Sequence, residues 1–314
     1  MNAGIPSRKK FVFGLACLLF FAVISQANAA DKKIVLQKYP DLKIGFTTAN
    51  FLKAYPPTAA NLKKLLDFAS EQGFSFIEIR DPSATLALSE SKGLAAYAKQ
   101  KGIEVIYAMN VGLLDADYWE VYSRGIANAS VFDGPKVIRT GANGGEMLAD
   151  EKKTHWTADE FARLVQNANL AGNTAKMFGL QLLVENAREG LQGDGIAKFG
   201  SVELFGGKGV NQNVGLQADV GNFFCTSRVP STPSAAGAFL AANVGRIGYI
   251  HLKTSKNNKP QPVLDGNELP FDTIFGLLQK NGKSYVAIEL DPVVSANDAY
   301  VNHIKSIEYL KKNF

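Results

Sequence analysis

The chain is poor in the residues that staple or metallate small domains: its 314 residues include two cysteines and three histidines. Loss of residues 1–29, argued below, would leave Cys225 alone, which excludes an internal disulfide and with it a small disulfide-stapled domain. A long apolar run is also missing. The run Phe11 to Ile24 has 14 residues, short of the roughly 20 a spanning helix needs. Charge of one sign is scarce too, because the formal net charge of +5 owes much to Arg8, Lys9 and Lys10. Removing these three from 34 basic residues leaves 31 against 29 acidic ones. A balanced chain of this kind has no electrostatic footprint for nucleic acid or for an anionic membrane surface. No linker, low-complexity tract or second-domain boundary interrupts the sequence.

What is present begins with an export pattern. Three basic residues, the apolar run and Ala27-Asn28-Ala29 form the three parts of a secretory signal peptide, with cleavage expected after Ala29. Residues 1–29 are therefore expected to be the signal and 30–314 one mature domain, periplasmic or secreted, with no stable membrane insertion after cleavage. Cys17 lies inside the apolar run rather than at its end, which argues against lipidation.

Eight short β-rich apolar runs recur along the mature chain. They occupy 42–48, 74–80, 103–110, 136–141, 180–186, 214–220, 247–253 and 284–290. Between them lie segments of helical period. Leu62, Leu65, Leu66 and Ala69 share one helix face, as do Phe161, Leu164, Val165 and Ala168 behind a Thr157/Glu160 capping box, and Val301, Ile304, Ile307 and Leu310 near the end. Strands apolar along their length suit a parallel sheet buried on both faces. Eight such repeats predict an α/β fold, a single-domain (β/α)₈ TIM barrel. The glycine-rich stretch 188–209 predicts a long loop with one short helix on the side where barrels build their sites.

Chemistry in a barrel of this kind gathers at the carboxyl ends of the strands. The last inward positions of strands five to eight are Glu185, Asp219, His251 and Glu289, each in phase with an inward residue two positions earlier: Leu183, Gln217, Tyr249 and Ala287. Three carboxylates crowded on one side of the mouth repel one another unless a cation lies between them. Three carboxylates and one imidazole, without a thiolate, suit one divalent ion, Mn²⁺, Mg²⁺ or Co²⁺, in an open six-coordinate site better than tetrahedral zinc. His155 and His303 lack such a setting and are expected on the surface. The stretch "TGANGGEM" is glycine-rich but lacks the Lys-Ser/Thr ending of a phosphate loop, and reads as a turn.

The strand ends "VENAR", "ADVGN", "IHLK" and "IEL", with "GFSFIEIR" in strand two, resemble the xylose isomerase-like TIM-barrel superfamily of sugar isomerases and epimerases over essentially the whole mature chain. The resemblance implies that Glu185, Asp219, His251 and Glu289 hold one divalent metal and that the two glutamates act as an acid/base pair. The chain departs from that pattern in three places. Asn222 stands where relatives often carry a histidine, Thr254 follows Lys253 where many carry an aspartate, and Asn110 and Arg139 lie where histidines are common. Three histidines are too few for the superfamily's three-metal endonuclease branch.

The expected activity is a metal-dependent isomerisation or epimerisation of a sugar through an enediolate. Glu185 and Glu289 would move the proton and Lys253 would neutralise a developing oxyanion; a salt bridge to a strand-end carboxylate is the alternative role for Lys253. Asn186, Arg188, Asn222, Arg139 and Asn110 are candidate substrate contacts. A lyase or hydratase acting on a 3-keto-glycoside or related oxidised sugar, and a non-catalytic sugar-binding barrel, are the rival readings. A small-molecule sugar, with no nucleic acid, is the expected partner, and a homo-oligomer stays open.

Overall fold

The computed structural model describes residues 33–142, 156–186, 209–226, 231–257, 259–266, 268–291, 293 and 295–314. The expected signal peptide, most of the "TGANGGEM" turn, His155 and nearly all of the 188–209 loop, Arg188 included, lie outside them.

Eight parallel strands close into a barrel. They are β1 (Lys43–Thr47), β2 (Phe76–Arg80), β3 (Glu104–Gly112), β4 (Val137–Gly141), β5 (Gln181–Glu185), β6 (Val214–Asp219), β7 (Ile247–Leu252) and β8 (Tyr285–Ile288). Each pairs with the next in sequence, and β8 closes on β1. The outer layer holds α1 (Ala59–Gln72), α2 (Leu88–Lys101), α3 (Tyr118–Ser130), α4 (Ala158–Met177), α5 (Pro233–Asn243), α6 (Phe271–Lys280) and α7 (Ala296–Asn313). All eight strands thus fall where the apolar runs predict them. At the start of α4 the expected capping box forms: Thr157 Oγ1 accepts from Glu160 N at 3.2 Å, and Glu160 Oε2 accepts from Thr157 N at 2.9 Å. None of the described helices is long and apolar enough to cross a membrane.

Two layers of inward side chains fill the barrel. The lower is a closed apolar cluster of Phe76, Ile106, Val137, Leu183, Tyr249 and Ala287. Gly45 on β1 makes room for it, since a Cβ there would lie 2.6 Å from the Phe76 ring. Two residues further along the same strands the character changes. The next inward positions are Glu78, Ala108, Arg139, Glu185, His251 and Glu289. The two-residue period of a strand therefore stacks a charged layer directly on an apolar floor.

One expectation fails. His303 is fully buried, not on the surface. The buried stripe of α7 runs through Ala299, His303, Ser306, Ile307 and Leu310, while Val301 is 38% exposed. The sequence stripe anchored on Val301 was thus rotated away from the packed face. His303 packs against Phe46, Phe51, Phe68 and Phe74, with the Phe51 ring stacked at 5.0 Å. Its Nδ1 lies 2.7 Å from Ala299 O, and its Nε2 lies 2.9 Å from Asn50 Nδ2. Asn50 has its orientation fixed, because its Oδ1 accepts from Leu290 N at 3.0 Å and its Nδ2 donates to Ile288 O at 3.1 Å. The amide therefore grips the backbone on both sides of Glu289, and His303 steadies the amide.

Candidate metal centre

Four ligand-type side chains converge at the carboxyl end of the barrel. One atom from each of Glu185, Asp219, His251 and Glu289 can be chosen so that all four lie within 4.8 Å of one another. Adjacent strands β5, β6, β7 and β8 supply them, in register that sets Asp219 beside His251 and Ala287, two residues before Glu289, beside His251. From His251 Nδ1 it is 2.5 Å to Glu289 Oε2, 3.5 Å to Glu185 Oε1 and 3.7 Å to Asp219 Oδ2.

The donor set fits a divalent cation. His251 Nδ1, Asp219 Oδ2 and Glu289 Oε2 are buried and make no properly aligned hydrogen bond to any described atom. Their close contacts are with one another and with Lys253, and buried polar atoms are normally satisfied by well-aligned hydrogen bonds, so the three converging atoms suit an ion. Oxygen ligands with one nitrogen suit Mg²⁺, Mn²⁺ or Co²⁺.

Cations of the chain surround the cluster. Lys253 Nζ lies 2.8 Å from Asp219 Oδ2, 3.1 Å from Glu289 Oε1 and 3.2 Å from Asn222 Oδ1. Its stem crosses Gly221, where an added Cβ would sit 2.6 Å from Lys253 Cβ and Cδ, so any larger residue there would displace the lysine. Arg139 pairs with Glu185, and Arg80 Nη2 lies 3.8 Å from Glu289 Oε2. Burial alone would raise the carboxyl of Glu289, yet the charges of Lys253 and His251 hold it well below the usual carboxylate range. His251 responds in the opposite sense: burial opposes its charge, but Glu78 and Glu289 push it up to about 10. In the absence of an ion the imidazolium supplies positive charge at the centre of the cluster.

The other expected contact residues divide by role. Asn186 holds the Asp219 backbone, donating from Nδ2 to its carbonyl at 3.0 Å and accepting from its N–H at 2.8 Å. Asn222 opens the π-helical turn Asn222–Thr226, its N–H donating to Asp219 Oδ1 at 3.0 Å and its Nδ2 to Asn186 O at 2.9 Å. Asn110 is exposed and accepts from both Arg80 and Arg139 at 3.3 and 3.4 Å. Arg139 is fully buried. Glu78, Arg80, Tyr249 and Asn50 join the site without having been singled out from sequence. For Glu78 and Arg80 a signal existed: two charges share one face of the otherwise apolar strand "FIEIR".

A sequence profile of the xylose isomerase-like TIM barrel family matches residues 66–312. No curated protein matches the chain. Among solved structures, an L-ribulose 3-epimerase superposes with a TM-score of 0.65 at 18% identity, covering 86% of this chain and 95% of that one. A xylose isomerase-like TIM barrel protein from Mycobacterium smegmatis in complex with magnesium gives 0.63 at 19%, covering 86% and 97%. The 3-keto-D-glucoside 4-epimerase of E. coli, in its apo form, gives 0.61 at 15%, covering 86% and 99%.

Proposed function

Because the chain belongs to the xylose isomerase-like TIM-barrel family, we propose that it is an exported, divalent-metal-dependent isomerase or epimerase of a neutral sugar or sugar derivative. The observation that carries this reading is the convergence of Glu185, Asp219, His251 and Glu289 over an apolar barrel floor. A divalent cation held there would polarise a sugar carbonyl and stabilise the charge of an enediolate.

The chain's own residues supply the rest. Glu185 on β5 and Glu289 after β8 reach the His251 imidazole from strands on either side of it, which suits one to take a proton from a substrate carbon and the other to return it. A general base must be ionised to act. The charge of Lys253, the largest of those that lower Glu289, keeps it so at neutral pH. Lys253, buried between Asp219 and Glu289, places an ammonium where an oxyanion would develop. Similarity in fold to an L-ribulose 3-epimerase and a 3-keto-D-glucoside 4-epimerase supports epimerisation over a binding role, and the N-terminal pattern supports export to a compartment where neutral sugars are met.

The test is a metal-supplemented screen of free sugars, keto-sugars and glycosides in deuterated water, with products followed by NMR. Isomerisation or epimerisation incorporates deuterium at the reacting carbon without loss of a substituent, and Glu289→Gln abolishes it. Release of a leaving group would replace this reading with that of a lyase. Full turnover in Glu289→Gln would remove the acid/base assignment.

A further inference from the structure

Glu78 lies on β2, across the barrel from β6, and is fully buried. Four side-chain donors surround its two oxygens. Oε2 lies 2.5 Å from Tyr249 OH and 2.6 Å from His251 Nε2, while Oε1 accepts from Thr47 Oγ1 at 2.8 Å and Arg80 Nε at 3.0 Å. We propose that Glu78 is a positioning residue that fixes a proton on His251 Nε2 and so reserves Nδ1 for the metal, and that Arg80 makes this arrangement specific to a carboxylate. The inference rests on the metal reading above.

The argument is one of donor and acceptor counts. An ionised carboxylate only accepts, so the imidazole nitrogen facing it must carry a hydrogen. Arg80 sets both Nε and Nη2 3.0 Å from Glu78 Oε1, and a guanidinium, which only donates, pairs with an ionised carboxylate, so Glu78 remains the acceptor. The other ring nitrogen, Nδ1, then points at Glu289, Glu185 and Asp219 with its lone pair free once an ion displaces any proton there. A hydrogen bond on the far nitrogen is the usual device that orients a metal-bound histidine.

Replacing Glu78 by glutamine keeps the shape and changes the polarity. The guanidinium of Arg80 has no lone pair and cannot reverse its bond, whereas the Thr47 hydroxyl can rotate. The glutamine oxygen must therefore face Arg80, and its NH₂ must face Tyr249 and His251. His251 Nε2 becomes an acceptor and the ring proton moves to Nδ1, toward the ligand cluster. The opposite orientation sets an NH₂ against the Arg80 N–H at a fully buried position, which is the costlier choice.

The experiment measures Mn²⁺ and Mg²⁺ affinity by calorimetry and the protonation of His251 nitrogens by ¹⁵N NMR in wild type, Glu78→Gln, Arg80→Met, and Glu78→Gln combined with Arg80→Met. With three histidines in the chain, assignment by single His variants is direct. Wild type is expected to carry a proton on Nε2 with or without metal. Glu78→Gln should fold, lose that proton from Nε2 and bind metal about 10–100-fold more weakly. The double variant frees the amide to turn its oxygen toward His251, so affinity should recover relative to Glu78→Gln by more than Arg80→Met alone gains over wild type through loss of a positive charge near Glu289, a surplus that a merely structural role would not produce. Wild-type affinity in Glu78→Gln, or a proton retained on its Nε2, overturns the proposal while leaving the metal reading intact. If wild type binds no divalent ion, the metal reading falls and the Nε2 proton alone decides what Glu78 does.

Discussion

Acidification should destabilise the protein through His303 in particular. Its Nε2 faces Asn50 Nδ2, a donor whose orientation is locked by the Leu290 N–H and the Ile288 carbonyl, so a second ring proton would set donor against donor. Burial among phenylalanines lowers the group from 6.5 to about 4, against a small opposing contribution from the Ala299 carbonyl. The folded pKa is depressed, so between about 4 and 6.5 the unfolded chain binds a proton that the folded chain refuses. Stability from this residue is therefore complete above pH 6.5 and is lost as pH falls toward 4. A shift of that size corresponds to roughly 3 kcal/mol in full, of which about 2 kcal/mol is gone by pH 5. Urea denaturation of metal-free protein at pH 7.5 and pH 5, in wild type and in His303→Gln, isolates the effect. Glutamine can still accept from Asn50 but does not titrate. The wild type should lose about 2 kcal/mol more than the variant over this interval. Equal losses in the two proteins, or an NMR titration placing the His303 pKa near 6.5, would refute the reasoning.

Asn186→Ala removes both side-chain hydrogen bonds to the Asp219 backbone and leaves a buried N–H without its partner. A loss of about 1–3 kcal/mol is expected by chemical denaturation, together with weaker metal binding because the ligand loop is freed. Lys253→Met leaves Asp219 and Glu289 close together without their shared ammonium. Breaking a buried pair in this way costs about 3 kcal/mol or more in the absence of metal, and added Mn²⁺ should raise the melting temperature by more in the variant than in wild type. Equal rises would show that the ammonium does not balance these carboxylates. Purified mature protein from an exporting host should begin at Ala30 by N-terminal sequencing, and an intact residue 1 would remove the export proposal.

The barrel was legible because eight buried parallel strands leave eight apolar runs, and the cluster of ligand-type residues because strand ends on one side of a closed sheet must meet. Glu185, Asp219, His251 and Glu289 each look ordinary alone, and their equivalent positions on consecutive strands give them away. The supporting groups were harder to see for a physical reason: their role depends on which residues meet across the barrel. Glu78 meets His251 only because closing the sheet brings β2 to within three strands of β7 and turns both side chains inward, a contact separated by 173 positions in sequence. His303 was misplaced because an amphipathic helix with valine and isoleucine on adjoining faces does not fix its own rotation. Packing decided it, turning Val301 outward and the histidine toward Phe46 and Phe51. Asn186 and Asn222 were expected near the site as substrate contacts, and the side chains are found tied to the backbone around Asp219.

The central claim is that Glu185, Asp219, His251 and Glu289 together hold one divalent ion. Titration of metal-free mature protein with Mn²⁺, followed by calorimetry and by elemental analysis after desalting, tests it directly when run beside Asp219→Asn and His251→Gln. The account predicts one ion per chain in wild type and loss of at least tenfold in affinity in each variant. Absence of stoichiometric binding in wild type, or unchanged binding in both variants, would contradict it.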